Sequence, residues 1–167
     1  MESAHRIGVI SDTHIPSRGQ RVPDAALRIF EDEGVELILH AGDLSSLAVI
    51  DQLATYAPVE AVQGNVELPE VVAALPLKRE LVVGGCVIGL IHILGDSQHY
   101  ARTAAREFPG ARVVVFGHSH IPLVREADGV LLLNPGSATD RRRQPHCTIA
   151  ILRIADGQPQ ARLVPLP

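Results

Sequence analysis

Short apolar runs alternate with amphipathic segments over the first 65 residues, and this alternation limits the possible fold more than any other feature. Residues 6–11, 36–40 and 59–63 have the length and composition of buried strands. One predicted helix follows Asp24 and ends at Gly34, and a second begins near Ser45 or Ser46 and reaches about Tyr56. The order βαβαβ predicts parallel strands joined by crossover helices.

Glycine-containing turns give the second half of the chain a different pattern. Gly84-Gly85, Asp128-Gly129 and Asp156-Gly157 each separate two strand-like runs and predict hairpins. Residues 97–107 predict a helix capped by Ser97, and residues 112–116 predict another buried strand. We therefore expect an α/β first half followed by mostly antiparallel strands, arranged as two packed sheets with outer helices. Residues 1–167 are expected to form a single domain.

Composition excludes several classes of partner. The formal charge of −4 offers no basic surplus for a long nucleic acid. No apolar run approaches the roughly 20 residues of a membrane span, and the N-terminus lacks an apolar segment of signal-peptide length. Cys86 and Cys147 are too few for a disulfide framework. We expect a soluble, cytoplasmic protein that binds no membrane.

Side chains suited to metal binding follow the predicted strands. In a parallel sheet the loops beyond the carboxyl ends of the strands meet at one edge. Seven such side chains carry oxygen or imidazole donors: Asp12, His14, Asp43, Asn65, His92, His118 and His120. A mixed nitrogen and oxygen set without thiolate suits Mn, Fe, Zn or Ni better than Ca. The set predicts a two-metal hydrolytic centre, in which cations about 3.5–4 Å apart activate a water.

The spacing of the candidate ligands within two sequence fragments leads to a further prediction. Asp12 and His14 are two residues apart, as are His118 and His120. On an extended backbone, side chains at this spacing leave the same face of the strand. We therefore expect each pair to point together into the site.

In this order, the fragments resemble a known family. Asp12-Thr13-His14, Gly42-Asp43, Gly64-Asn65, His92 and Gly117-His118-Ser119-His120 are similar to the motifs of the calcineurin-like metallophosphoesterases. The short chain and Asn134-Pro135-Gly136-Ser137 resemble the small YfcE-like phosphodiesterase branch. The resemblance implies a four-layer αββα sandwich of two mixed β-sheets flanked by helices. It also implies that Asp12, His14 and His120 bind one metal, that Asn65, His92 and His118 bind the second, and that Asp43 bridges them.

The chain departs from the family pattern at two positions, Val66 and Ile93, the second because relatives usually have Gly after the histidine that corresponds to His92. Many relatives have histidine after Gly-Asn, where it contacts phosphate and protonates the leaving group, whereas this chain has Val66. Asp96 and His99 follow His92 closely and are alternatives to it as ligands. His99 is also a candidate substitute for the missing acid.

Other polar residues allow functional and structural interpretations. Arg141, Arg142 and Arg143 are candidate contacts for a substrate phosphate, although a solvated loop is the competing interpretation. For His40 we favour a buried structural or supporting role over metal ligation.

These observations predict a divalent-metal-dependent phosphodiesterase for small, nucleotide-like diesters, with a metal-bridging hydroxide as nucleophile. Asp43, Asn65 and His92 are expected to hold the hydroxide and position the phosphate. Two divalent ions are expected, with manganese first and iron, nickel or zinc as alternatives. The alternative is a non-catalytic scaffold or a regulatory module with the same fold, as in the retromer subunit of eukaryotes. Self-association into a homo-oligomer is also compatible with the sequence.

Overall fold

Two five-stranded sheets form the centre of the computed structural model, which describes residues 3–167. Met1 and Glu2, part of the N-terminal segment interpreted above as lacking a signal sequence, lie outside the described residues. The first sheet has the order β10-β9-β1-β2-β3 and the second has the order β4-β5-β6-β8-β7. The first sheet comprises β1 (His5–Ile10), β2 (Leu37–His40), β3 (Val59–Ala61), β9 (Thr148–Ala155) and β10 (Gln158–Pro165). The second comprises β4 (Lys78–Val83), β5 (Cys86–Ile91), β6 (Val113–Val115), β7 (Leu123–Ala127) and β8 (Val130–Asn134).

Both sheets are mixed, as the family resemblance implied, and most strand pairings in the second half are antiparallel as expected. Strands β1, β2 and β3 are parallel as predicted, and β9 and β10 extend their sheet antiparallel. The three predicted hairpins are present, as β4–β5, β7–β8 and β9–β10. However, β5, β6 and β8 are parallel neighbours. Turn residues determine only the pairing of the two strands they join, whereas this central set is joined by crossover connections.

Within residues 3–167, four α-helices flank the sheets: α1 (Asp24–Glu33), α2 (Ala48–Ala54), α3 (Pro69–Ala74) and α4 (Tyr100–Glu107). Gly34 ends α1 as predicted, with φ 63°, a left-handed conformation that suits glycine. Asp24 is the first helical residue rather than the cap, which is Pro23. The predicted helix at 97–107 is divided into a 3₁₀ turn, Ser97–His99, and α4, and its cap is Asp96 rather than Ser97.

Three apolar clusters give the molecule its layers. Ile7, Leu39, Ile88 and Val113 belong to the cluster between the two sheets. A second cluster packs α1 and α2 on the first sheet, and a third packs α4 on the second sheet. This is the predicted arrangement of two mixed sheets with helices outside. Within residues 3–167, no helix combines the length and the apolar character that a bilayer crossing requires.

Candidate metal centre

The loops after β1 and β2 are bonded to each other and carry the first candidate ligands. The backbone N–H of Asp12 donates to the carbonyl of Gly42 at 3.0 Å, and that of His14 donates to the carbonyl of Asp43 at 2.9 Å. Asp12, His14 and Asp43 all have positive φ, at 53°, 46° and 57°. The extended backbone assumed for Asp12 and His14 is therefore wrong, although their side chains do lie together. Left-handed turns, and not strand alternation, aim them into the site.

His118 and His120 also have positive φ, at 73° and 60°, and they do not act as a same-face pair. His120 lies with Asp12 and His14, whereas His118 lies with a different set of side chains. The expectation that both point together is wrong because the backbone turns sharply at each histidine. The loop is anchored by the N–H of His118, which donates to Asp12 Oδ2 at 3.0 Å.

The first ligand group consists of Asp12, His14 and His120, whose ligand atoms lie within 4.8 Å of one another. Asp12 Oδ1 is 3.5 Å from His120 Nε2 and 3.8 Å from His14 Nε2. The two Nε2 atoms are 3.4 Å apart. One carboxylate oxygen and two imidazole nitrogens thus converge on one point.

The second ligand group consists of Asp43, His92 and His118, again within 4.8 Å. Asp43 Oδ2 is 3.2 Å from His92 Nε2. The side-chain oxygen of Asn65 faces the same group, 2.9 Å from His92 Nε2 and 3.0 Å from His118 Nδ1. All seven sequence-predicted ligands therefore meet at one edge of the two sheets.

Asp43 lies between the two groups. Its Oδ2 is 3.2 Å from His92 Nε2 in the second group and 3.6 Å from His14 Nε2 in the first. Its other oxygen, Oδ1, accepts the backbone N–H of Val66 at 2.8 Å, which fixes the carboxylate. One carboxylate oxygen can therefore face a cation in either group.

Opposing effects determine the charge of these side chains. Burial raises the pKa of Asp12, but its contacts with His120 and with the charge of His92 outweigh burial, and the pKa falls below its usual value. The pKa of Asp43 is lowered in the same way by His92, again against burial. Burial lowers the pKa of His92, but the hydrogen bond and charge of Asp43 raise it above its usual value overall. Both carboxylates are therefore ionised at neutral pH, as metal ligands must be.

Two features of the site fit a metal ion. Asp12 is fully buried, and its Oδ1 accepts no hydrogen bond from any side chain or backbone group in residues 3–167. A buried carboxylate oxygen without a partner is costly unless a cation satisfies it. In addition, Nδ1 of His92 donates to the Ala41 carbonyl and Nδ1 of His120 to the Asp140 carbonyl, both at 2.7 Å. These bonds orient the rings and leave each Nε2 to bind a metal.

Several supporting residues escaped the sequence analysis. Ser137 Oγ donates to the Asp12 carbonyl at 2.8 Å, and Thr139 Oγ1 donates to the Thr13 carbonyl at 2.8 Å. The carboxylate of Glu67 accepts the backbone N–H groups of Ser45 and Gly64. The position of Ser137 and Thr139, just after β8 at the same sheet edge, is a signal that could have identified them.

Other predicted residues lie around the ligand groups. Asp96 accepts the Gln98 N–H and is exposed, as is His99, so neither replaces His92 within its group. His40 is fully buried beneath the site and bonds to Thr13 and Gly42, which fits the supporting role.

The three arginines after the β8 loop are exposed, but they differ in position. Arg142 and Arg143 line a cavity of about 190 Å³ together with Ser119 and His120. Arg141 instead donates to the Gln144 carbonyl at 2.7 Å.

The chain is similar to known proteins in both sequence and fold. The model of the calcineurin-like phosphoesterase superfamily domain matches residues 6–157. A probable metallophosphoesterase from Methanothermobacter thermautotrophicus is 45% identical over 157 residues, covering 91% of this chain and 87% of the relative. A phosphodiesterase from Methanocaldococcus jannaschii is 32% identical, covering 78% and 82%. The structure of vacuolar protein sorting 29 from Cryptosporidium parvum superposes with a TM-score of 0.79 over 99% of each chain, at 20% identity, which shows a common fold alone. The chain belongs to the calcineurin-like phosphoesterase superfamily.

Proposed function

We propose that this protein is a divalent-metal-dependent phosphodiesterase that acts on small, nucleotide-like phosphodiesters. The main support for the proposal is the position of Asp43, because one of its carboxylate oxygens faces both ligand groups. The first group contains Asp12, His14 and His120, and the second contains His92 and His118. The family relationship supports a metal-dependent phosphoesterase, and the phosphodiesterase among the relatives supports the choice of diesters.

In this proposal the two ligand groups hold two metals. Asp12, His14 and His120 bind one cation, Asn65, His92 and His118 bind the other, and Asp43 contacts both. Manganese is the proposed metal, with iron, nickel and zinc as alternatives, because the donors are nitrogen and oxygen without thiolate. Two bound cations would lower the pKa of a water between them and offset negative charge on the phosphoryl oxygens.

The chain's own residues position the reactants. Hydrolysis forms a bond from a water oxygen to phosphorus, breaks the bond from phosphorus to the leaving oxygen, and transfers one proton to the departing alcohol. Asp43, Asn65 and His92 would hold water and phosphate in line. Val66, with an apolar side chain that is 50% exposed at the site, has no proton to give. We therefore expect esters whose leaving group departs without an acid to react best.

Arginine contacts with the substrate phosphate form part of the same proposal. Burial is the main cause that lowers the pKa of His118, and the positive charge of Arg142 lowers it further. The pKa of His120 is raised overall, although burial and, to a smaller extent, the charge of Arg142 act against the increase. Arg142 therefore lies close enough to both histidines for its charge to act on them. A triple Arg141→Ala, Arg142→Ala, Arg143→Ala variant is expected to have a higher Michaelis constant. An unchanged Michaelis constant would show that the three arginines do not contact the substrate phosphate.

The test of the proposed function uses metal-stripped protein and bis(p-nitrophenyl) phosphate. Hydrolysis is expected to return with Mn²⁺, Ni²⁺ or Zn²⁺ in the native protein and to stay absent in Asp43→Ala. His146→Ala, which removes an exposed histidine outside both ligand groups, is the control and keeps its activity.

The alternative is a scaffold or regulatory module, which the fold shared with vacuolar protein sorting 29 allows. Two metals bound per chain without hydrolysis of any ester in a panel of monoesters and diesters would favour this alternative. Strong preference for monoesters in the same panel would contradict the choice of diesters.

A further inference from the structure

A groove with a volume of about 400 Å³ opens directly beside the second ligand group. Its walls are of two kinds, one formed by the candidate metal site and one by apolar side chains. The residues concerned are Gly64, Asn65 and His92 on the first wall, and Leu77, Ile91 and Ile93 on the second, and Gln63 also lines the groove. A phosphate held by Asn65 and His92 would therefore have one of its ester groups at the mouth of this groove.

The apolar wall is exposed although its side chains gain nothing from contact with water. Leu77 is 69% exposed and Ile93 is 44% exposed. Covering such side chains with an apolar ligand group is favourable because their surface is removed from water. The groove volume falls in the range of roughly 300–1,000 Å³ that is typical of small-molecule sites.

The chain segment that carries Leu77 is fixed before any ligand arrives. Gln63 Nε2 donates to the Leu75 carbonyl at 2.7 Å, and the backbone N–H of Gln63 donates to the Pro76 carbonyl at 2.9 Å. These bonds tie the residues before β4 to the loop that follows β3 and carries Asn65. A preformed wall loses little conformational entropy on binding, which favours a selective contact.

The charge of the groove limits what it can accept. Its lining side chains, all within the described residues 3–167, include no Lys, Arg, Asp or Glu. A second phosphate would lose its hydration there without gaining a charged partner, which is unfavourable. An uncharged ring loses much less on leaving water. The groove therefore suits a base or an aryl ring and does not suit a polyphosphate.

We propose that this groove binds the uncharged, ring-sized organic group that stays on the phosphate when the leaving group departs, and that Leu77 and Ile93 determine specificity for it. The inference rests on the proposed function, since the phosphate must be held by the adjacent ligand groups. It narrows the substrate class to diesters in which one ester group is a nucleoside or an aryl group.

The first experiment compares two esters with the same leaving group and the same charge, thymidine 5′-(p-nitrophenyl phosphate) and methyl p-nitrophenyl phosphate, with the manganese-loaded protein. The native protein is expected to prefer the thymidine ester. Leu77→Ser and Ile93→Ser are each expected to lower the ratio of the two kcat/KM values by roughly tenfold, the effect of removing apolar contact in a pocket. A loss common to both esters cancels in this ratio.

Val82→Ser is the matched control, because Val82 is 65% exposed on β4 but does not line the groove. In Val82→Ser, the ratio of kcat/KM for the thymidine ester to kcat/KM for the methyl ester is expected to equal that of the native protein. Ratios near one in the native protein, or ratios that Leu77→Ser and Ile93→Ser leave unchanged, would overturn the inference while leaving the phosphodiesterase proposal intact.

The second experiment measures binding without turnover. In zinc-loaded protein, phenylphosphonate is expected to shift the methyl NMR signals of Leu77, Ile91 and Ile93 more than methylphosphonate does. If neither ester is hydrolysed, the proposed function fails and this comparison alone decides whether the groove binds rings. Equal shifts with the two phosphonates would overturn the inference. So would signals that move with protein concentration before any ligand is added, since they would assign the groove to contact between copies of the chain.

Discussion

His40 lies uncharged beneath the candidate metal centre and joins two of its loops. Its Nδ1 accepts the backbone N–H of Gly42 at 3.1 Å, so its Nε2–H is the atom that donates to Thr13 Oγ1 at 3.0 Å. The ring is fully buried, and burial lowers its pKa to about 4. Protonation would abolish the bond from Gly42, because a charged imidazole has no acceptor. The neutral ring is therefore part of the folded structure.

The stability of the metal-free protein should depend on pH through this residue. In the unfolded chain His40 binds a proton below about pH 6.5, whereas in the folded chain it stays neutral down to about pH 4. Its contribution is therefore complete above about pH 6.5 and is lost as the pH falls toward 4. Between pH 7 and 5, the free energy of unfolding should fall by about 2 kcal/mol more in the native protein than in His40→Gln.

Urea unfolding in the presence of a chelator, at pH 7 and pH 5, measures this difference. The other histidines of the site titrate in both proteins, so their effects cancel in the comparison. Equal pH dependence in the native protein and His40→Gln would show that His40 is already charged in the folded state.

Gly64 shows how little space separates the loops after β2 and β3. A Cβ at this position would overlap Oδ1 and the backbone nitrogen of Asp43, and it would lie 2.8 Å from the Asp43 Cγ. Gly64→Ala must therefore displace the carboxylate that faces both ligand groups. We expect metal affinity to fall by at least about tenfold, in the range seen when supports of metal ligands are changed.

Gly34→Ala is the control for this substitution. Gly34 has φ 63°, and no atom lies within 4 Å of the place that a Cβ would occupy, so alanine there costs about 1 kcal/mol of backbone strain far from the site. Calorimetric metal titration should show normal affinity in Gly34→Ala and weakened affinity in Gly64→Ala. Normal affinity in both would mean that the loops adjust without moving Asp43.

Among the elements that carry the site, Glu67 connects the loops that follow β2 and β3. Its carboxylate accepts the Ser45 N–H at 2.7 Å and the Gly64 N–H at 2.9 Å, and the Leu68 N–H donates back to the Ser45 carbonyl. Burial raises the pKa of Glu67 above its usual value despite both bonds. The side chain thus holds Asp43 and Asn65 in one relative position.

Removing this connection should weaken both folding and metal binding. Glu67→Ala leaves two backbone N–H groups without their acceptor and should lower the free energy of unfolding by about 1–3 kcal/mol. Glu67→Gln keeps one acceptor and should recover part of the loss. Urea unfolding and metal titration check both variants against Glu80→Ala, which removes an exposed carboxylate on β4 and is expected to change stability by less than about 0.5 kcal/mol. Equal stability of Glu67→Ala and Glu80→Ala would contradict the connection.

The sequence predicted elements well where the determinant is local. Gly84-Gly85 predicted the β4–β5 hairpin because glycine readily adopts the positive φ that a two-residue hairpin turn requires, and Gly34 predicted the end of α1 for the same reason. Pairing between β5, β6 and β8 was missed because packing of α4 and the crossovers determines it, at a distance along the chain. The short helix α3 was not predicted from its residues.

The candidate site shows the same difference between features that depend on local sequence and features that depend on distant contacts. The seven candidate ligands could be found because each follows an apolar strand, but their left-handed backbone could not, since Asp and His carry no strong signal for positive φ. The bonds from Glu67 and Ser137 were also missed, because each joins loops far apart in the chain.

In the molecule as a whole, each candidate metal group draws on both sheets. In the first group, Asp12 and His14 follow a strand of the first sheet, whereas His120 follows β6 of the second. In the second group, Asp43 follows the first sheet and His92 and His118 follow the second. A cation in either group would therefore join the two sheets at their carboxyl edge, in addition to the apolar cluster between them.

Metal removal should accordingly destabilise the whole fold and not only the loops. A ligand at about 100 times its dissociation constant stabilises a folded protein by about 2.7 kcal/mol, which for a chain of this size raises Tm by roughly 5–10 °C. We expect this increase when zinc is added to chelator-treated native protein. Asp43→Ala should show little increase, and His146→Ala should match the native protein.

Hydrogen exchange distinguishes a metal that binds only when the two sheets are folded together from one that a single loop binds by itself. Added zinc should slow the exchange of the slowest amides in β1 and in β6 by similar factors, because those amides exchange through global unfolding and both strands are then protected by the same free energy. Asp43→Ala should show neither change. Protection confined to the loops, with β1 and β6 unaffected, would mean that metal binding is local and that the apolar cluster alone holds the sheets together.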